Sequence, residues 1–204
     1  MPTAQQESES PVEKDMNMNV EQVSDLIDGY TAWVQDYLDS GWKVYFLTFQ
    51  FNHLGMHKRV TVLTMQRELE RFYRTLLTRL IRRPARASQQ NRLPLLIGVP
   101  DSPVNKHQST ATLADIRPNM GIHFHAILAI PRKSRLKCGL IRHIKQHQTV
   151  YLGRDGKLAR IHVRRVRQLE DRIVDYLFKH VKRGTFSLDD VLILPRSVDE
   201  PRQP

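Results

Sequence analysis

Ten residues between positions 121 and 130, Gly121-Ile122-His123-Phe124-His125-Ala126-Ile127-Leu128-Ala129-Ile130, are apolar apart from two histidines, and Pro131 closes the run. A short, nearly continuous apolar stretch of this kind reads as a strand in the interior of a sheet. Side chains alternate between the two faces of a strand, so His123 and His125 share one face while Phe124 points the other way, into the core. Two imidazoles side by side are what a divalent cation asks of a single strand. A pair of histidines satisfied by ordinary hydrogen bonds produces the same spacing, and the pair alone does not choose between the two.

The rest of the chain supplies elements to pack around that strand. Residues 1–18 lack periodicity and are expected to form a disordered acidic tail. From Val20 to about Ser40, Val20, Val23, Ile27, Tyr30, Val34, Tyr37 and Leu38 recur at helical spacing behind Asn19 as a cap. This acidic amphipathic helix either covers one side of the core or serves as a partner-binding or autoinhibitory element. Residues 43–51 form a strand, rich enough in apolar and aromatic residues to lie inside its sheet. A helix over residues 61–83 buries Val62, Met65, Leu69, Phe72, Leu76 and Leu80 and stops at Pro84. Its arginines (Arg67, Arg71, Arg74, Arg79, Arg82) lie largely off that stripe, on a face that is either solvated or turned to phosphates.

Beyond a loop at 84–92, residues 93–99 form the next strand, followed by a polar connector that reaches Asn119. After the histidine strand come a short helix at 140–147, a strand at 150–152, the turn Gly153-Arg154-Asp155-Gly156, a strand at 158–166, and a helix at 169–182 ended by Gly184. This order predicts one α+β domain over residues 19–184, an antiparallel-dominated central sheet with flanking helices, and a C-terminal extension over 185–204.

Charge narrows the class of partner. Residues 1–40 hold nine acids and one lysine, a net −8 against +11 for the whole, so residues 41–204 carry +19. A basic body of that size points to a polyanion, and nucleic acid above all, with a merely soluble basic surface as the alternative. The single cysteine, Cys138, excludes an intramolecular disulfide and fits a reducing compartment. No secretory signal or membrane span is read from the chain, so a cytoplasmic protein is expected.

Some fifty residues past the histidines lies Tyr176-Leu177-Phe178-Lys179. Residues three apart share a helix face, so Tyr176 and Lys179 meet. Tyr176 is either a core-edge tyrosine or a nucleophile. A phenol attacks a phosphate poorly unless nearby positive charge activates it and a cation offsets the charge developing on the phosphoryl oxygens. Lys179 supplies a compact charge of that kind; alternatively, Lys179, Lys182 and Arg183 only answer the helix dipole.

Phe46-Leu47-Thr48-Phe49, His123-Phe124-His125 and Tyr176-Leu177-Phe178-Lys179, in that order over residues 43–184, resemble the HUH endonuclease superfamily. Within it, the set is most similar to single-tyrosine rolling-circle replication initiators and related single-strand transposases. The resemblance implies a ferredoxin-like or RRM-like core, Mg2+ or Mn2+ held by His123 and His125, Tyr176 as nucleophile and Lys179 as its electrostatic helper. It further implies nicking of single-stranded DNA at an origin or hairpin, leaving a 5′-phosphotyrosine link and a free 3′-hydroxyl. Such families add a polar third ligand. Asp101 is the choice here, with Gln50, His53 and Asp115 behind it. Arg164, Arg165, Lys182 and Arg183 are the expected nucleic-acid contacts.

Two departures bear on the expectation. Where many initiators carry a second tyrosine after the lysine, this chain has His180, so completing strand transfer calls for two protomers or two successive events. No Gly-x-x-x-x-Gly-Lys follows, so unwinding would fall to a helicase of the host. Two other classes fit the same residues: a non-catalytic nucleic-acid-binding module, and a phosphoesterase that activates water on the metal.

Overall fold

The computed structural model describes residues 20–103, 118–169 and 172–196. The expected tail at 1–18, the Asn19 cap and Asp115 lie outside the described residues. In chain order the elements are α1 (Val20–Asp39), β1 (Lys43–Phe51), α2 (Lys58–Leu80), β2 (Leu95–Asp101), β3 (His123–Ile130), α3 (Leu140–Gln146), α4 (Gln148–Leu152), β4 (Leu158–Val166), α5 (Ile173–Leu177), α6 (Lys179–Lys182) and β5 (Leu192–Leu194). The fold is α+β, with a five-stranded sheet in the order β4-β1-β3-β2-β5 and every neighbouring pair antiparallel. From β1 to β4 the succession strand, helix, strand, strand, helices, strand is the ferredoxin-like split βαβ arrangement. No described helix is long and apolar enough to cross a membrane.

Strand alternation divides the core into two layers. Tyr45, Leu47, Phe49, Phe124, Ala126, Leu128 and Leu96 meet α2, α3 and α4 on one face. The α2 stripe predicted from its spacing is buried there, and each fully buried large side chain contributes about 1.5–3 kcal/mol. Val44, Phe46, Val99, Ile127 and Ala129 face the other way, under α1, α5 and α6. On that side α1 buries Ile27 and Val34, and Tyr30 stacks on Phe178 at 5.0 Å between ring centroids. The acidic helix thus covers the layer that carries Tyr176 and Lys179.

Two expectations are corrected. Residues 150–152 do not form a strand but close α4. Tyr151 is buried against Phe72 and its hydroxyl lies 2.8 Å from His143 Nε2, while Arg71 donates to the Tyr151 and Leu152 carbonyls at 2.8 and 3.0 Å. An arginine from α2 therefore caps the helix, and these contacts override the strand propensity of Val150 and Tyr151. Gly153, at φ 79°, makes this approach possible, since a Cβ there would fall 2.9 Å from the Arg71 guanidinium.

The helix expected over 169–182 is two short ones, α5 and α6, separated at Phe178 (φ −91°, ψ 6°), whose side chain is wholly buried beneath Tyr30. Leu192–Leu194, within the stretch set aside as an extension, pairs with β2 from Leu96↔Leu194 to Gly98↔Leu192 and completes the sheet.

Candidate metal centre

At the end of β3 the two histidines and Asp101 converge, because register places Asp101 opposite His123 and Val99 opposite His125. All three residues lie on the α5/α6 side of the sheet, at odd positions of their strands. Asp101 is the last residue of β2 rather than a residue beyond it. His123 Nε2 and His125 Nε2 are 3.2 Å apart, and Asp101 Oδ2 lies 2.9 Å from His125 Nε2 and 3.5 Å from His123 Nε2. Ligands about 2.1 Å from a common cation stand about 3.0 Å apart in an octahedral face and about 3.4 Å apart in a tetrahedron. The three atoms already match that triangle. Among the described residues this is the one His/Cys/Asp/Glu cluster with such geometry, and it can hold a divalent cation. Of the weaker third-ligand candidates, Gln50 and His53 are exposed and outside the cluster.

The surroundings of each imidazole decide which nitrogen faces the cation. His123 Nδ1 is 3.0 Å from the Gly121 carbonyl, which can only accept, so Nδ1 bears the proton and the Nε2 lone pair is turned to the centre. Gly121 follows a turn held by Asn119, whose side chain accepts from the Leu54 amide and donates to the Asn52 carbonyl, both at 2.8 Å. His125 Nδ1 is 3.1 Å from Thr48 Oγ1 in β1. A hydroxyl both donates and accepts, so Thr48 serves either tautomer: it donates to Nδ1 when Nε2–H points at Asp101, and accepts from Nδ1–H when Nε2 binds a cation. Thr48→Val keeps the shape but removes this exchange. It is expected to weaken Mn2+ binding about 10-fold with the fold intact, read by titration calorimetry.

Burial and partners set the charges. Burial alone would raise the Asp101 carboxyl, but the neighbouring His123 and His125 imidazoles and the Lys179 ammonium outweigh it and hold the group well below the usual carboxylate range. Desolvation pushes His125 down, as it does His143 and His180, so all three stay neutral in the fold at pH 7. The unfolded chain takes up protons near the ordinary histidine value of about 6.5. Stability of the metal-free protein is therefore expected to fall as pH drops below that value, by up to about 1.4 kcal/mol per pH unit for each of these imidazoles. A second loss sets in below about pH 4, where the unfolded chain protonates the aspartate that the fold keeps ionised. Urea midpoints at pH 8, 6.5, 5 and 3.5 measure both stages; a midpoint unchanged from pH 8 to 5 would contradict the first.

Tyr176 and Lys179 stand beside this cluster. The Tyr176 ring lies 5.4 Å from the His125 ring and 6.2 Å from Phe46, and Tyr176 is 46% exposed. Lys179 Nζ sits 3.9 Å from the centre of the Tyr176 ring and 2.7 Å from Asp101 Oδ2. The two residues meet even though they belong to separate short helices. His180, adjacent to Lys179, reaches the other oxygen of the same carboxylate: its Nε2 is 2.8 Å from Asp101 Oδ1. Sequence reading noticed His180 only as the place of a missing tyrosine.

The expected nucleic-acid residues divide. Arg164 is exposed on the sheet face that carries the cluster, in one row with Arg160 and His162 along β4. Arg165 points to the opposite face, where its guanidinium lies over the Tyr45 ring and donates to the Tyr45 hydroxyl at 3.2 Å. Lys182 is paired with Asp175, while Arg183 is exposed. Compared with known proteins, the chain matches no family model, no curated protein and no solved structure.

Proposed function

We propose that this protein is a metal-dependent nickase and strand transferase acting on single-stranded DNA, with Tyr176 as the nucleophile. The observation that carries the reading is the convergence on one face of an exposed tyrosine, a lysine ammonium and a two-histidine, one-aspartate triad. Tyr176 packs on the candidate ligand His125 and, at 46% exposure, leaves the rest of its surface open to a substrate. Arg160, His162 and Arg164, with Gln50 on β1, extend the same face outward as a polar, mostly basic surface suited to a phosphate backbone.

The bound cation would polarise a non-bridging phosphoryl oxygen and offset its developing charge. His123, His125 and Asp101 would hold it, and two imidazole donors favour Mn2+ over Mg2+, which prefers an all-oxygen shell. Tyr176 Oη forms the new bond to phosphorus as the bond from phosphorus to the 3′ oxygen breaks. The phenol proton passes to water, and the departing oxygen takes up a proton as a 3′-hydroxyl. Lys179 brings its charge against the Tyr176 ring, where it would stabilise the phenolate character gained during attack.

The test is incubation of the protein with a labelled pool of single-stranded DNA, origin-like hairpins included, with Mn2+ and with chelator, followed by a denaturing gel. The expected result is a metal-dependent band that survives denaturant, with a nucleotide-modified peptide containing Tyr176 identified by mass spectrometry. Cleaved DNA free of protein would instead assign the cut to a metal-activated water. Binding without cleavage, unaffected by alanine at His123 and His125, would favour a binding module.

A further inference from the structure

The triad uses one oxygen of Asp101, and the other oxygen has its own neighbour. Oδ2 faces the two imidazoles and Lys179, whereas Oδ1 faces His180 Nε2 at 2.8 Å, with both side chains 4% exposed. The contact is short but off the line of a good hydrogen bond, so Oδ1 and both His180 ring nitrogens are buried polar atoms without a directed partner. The Ser102 backbone also lies beside the ring. A buried imidazole against a buried carboxylate oxygen is costly unless the N–H is turned onto it, and the 2.8 Å separation is that of a hydrogen bond. The backbone around His180 is anchored for this: its carbonyl accepts from the Thr185 and Phe186 amides at 2.9 and 3.3 Å, and the Phe186 ring stands edge-on 6.2 Å away.

We propose that His180 is the positioning residue of the centre, holding Asp101 Oδ1 so that the carboxylate meets a cation through Oδ2 alone. The inference rests on the metal-centre reading and adds a selectivity to it. A carboxylate tied at one oxygen is a monodentate ligand. That suits Mn2+, bound at about 2.2 Å with few protein ligands, and disfavours Ca2+, which takes six to eight oxygens and readily binds carboxylates through both. Loss of the His180 contact frees Oδ1, loosens the aspartate and removes the discrimination.

The experiment compares the full-length protein with His180→Gln and His180→Asn by calorimetric titration with Mn2+ and with Ca2+, after circular dichroism and melting confirm that each is folded. The glutamine amide nitrogen can occupy the position of the histidine Nε2, whereas the shorter asparagine reaches only the position of Nδ1. Both substitutions are polar and similar in their demands on the core. The expected result is Mn2+ affinity within about threefold of wild type for Gln and about 10-fold or more weaker for Asn, with the preference for Mn2+ over Ca2+ narrowed only in Asn. Equal Mn2+ affinity in all three proteins, or Gln no tighter than Asn, would overturn the positioning role while leaving the metal centre standing. If the wild-type protein binds no Mn2+, the metal-centre reading fails first and takes this inference with it.

Discussion

Replacing Tyr176 by phenylalanine is expected to abolish the covalent adduct with DNA, lowering nicking by at least about 10^4-fold, while leaving the protein folded and its cation site intact. The substitution removes one oxygen. The ring keeps its contacts with His125 and Phe46 and stays beneath the Lys179 ammonium. Among the described residues no hydrogen bond to the Tyr176 hydroxyl is formed, and the residue is 46% exposed, so stability should change by no more than about 0.5 kcal/mol. Mn2+ affinity measured in the same variant separates nucleophile from ligand: the adduct disappears and the binding isotherm does not move. An adduct of undiminished yield on Tyr176→Phe would remove the tyrosine from the chemistry altogether.

Asp101→Asn should have the opposite signature, with both cation binding and folding weakened. Asp101 is the one anion of the triad, and its carboxylate faces His125, Lys179 and His180 at 2.9, 2.7 and 2.8 Å while 3% exposed. An amide of the same shape lacks the charge that answers Lys179 and cannot ligate through an anionic oxygen. Mn2+ affinity is therefore expected to fall by more than the roughly 10–100-fold typical of changes to outer-shell partners. Breaking a buried ion pair costs about 3–5 kcal/mol. Here the Lys179 side chain retains 22% exposure and can turn to water, so a loss nearer about 2–3 kcal/mol is expected. Because the folded carboxyl is held below its ordinary range, the gap between wild type and variant is largest at neutral pH. It should narrow below about pH 4, where the unfolded wild-type chain takes up the proton that the fold excludes, a trend that urea titrations at pH 7, 4 and 2.5 would read. A variant with wild-type Mn2+ affinity would dissolve the triad as a cation site.

Much of the fold was legible because its signals are local. The apolar runs of β1 and β3 and the 3.6-residue stripes of α1 and α2 are written in side chains a few positions apart, and the structure has these elements within a few residues of their expected places. Pairing His123 with His125 on one face needed only strand alternation. The same alternation places Thr48, quoted above within Phe46-Leu47-Thr48-Phe49, on one face of its strand with Phe46 and Gln50.

What escaped the sequence was decided by distant partners. The helix at Gln148–Leu152 owes its last carbonyls to Arg71, some eighty positions away, and a three-residue stretch carries no periodicity to announce it. Leu192–Leu194 is too short to declare itself a strand until β2 offers an edge to pair with. The break at Phe178 follows from seating that ring under Tyr30.

Sequence alone showed two imidazoles on one strand face, a tyrosine and a lysine three positions apart, and a strongly basic body over residues 41–204. Asp101 was the sequence's choice of third ligand, but only the tertiary structure brought it within 3.5 Å of both imidazoles, set Lys179 and His180 against its two oxygens, and sent Arg165 to the far side of the sheet. The physical reason is that chemistry and periodicity belong to residues and their near neighbours. The approach of two carboxylate oxygens to chosen partners belongs to strand register, which is fixed only when the whole sheet and its covering helices pack.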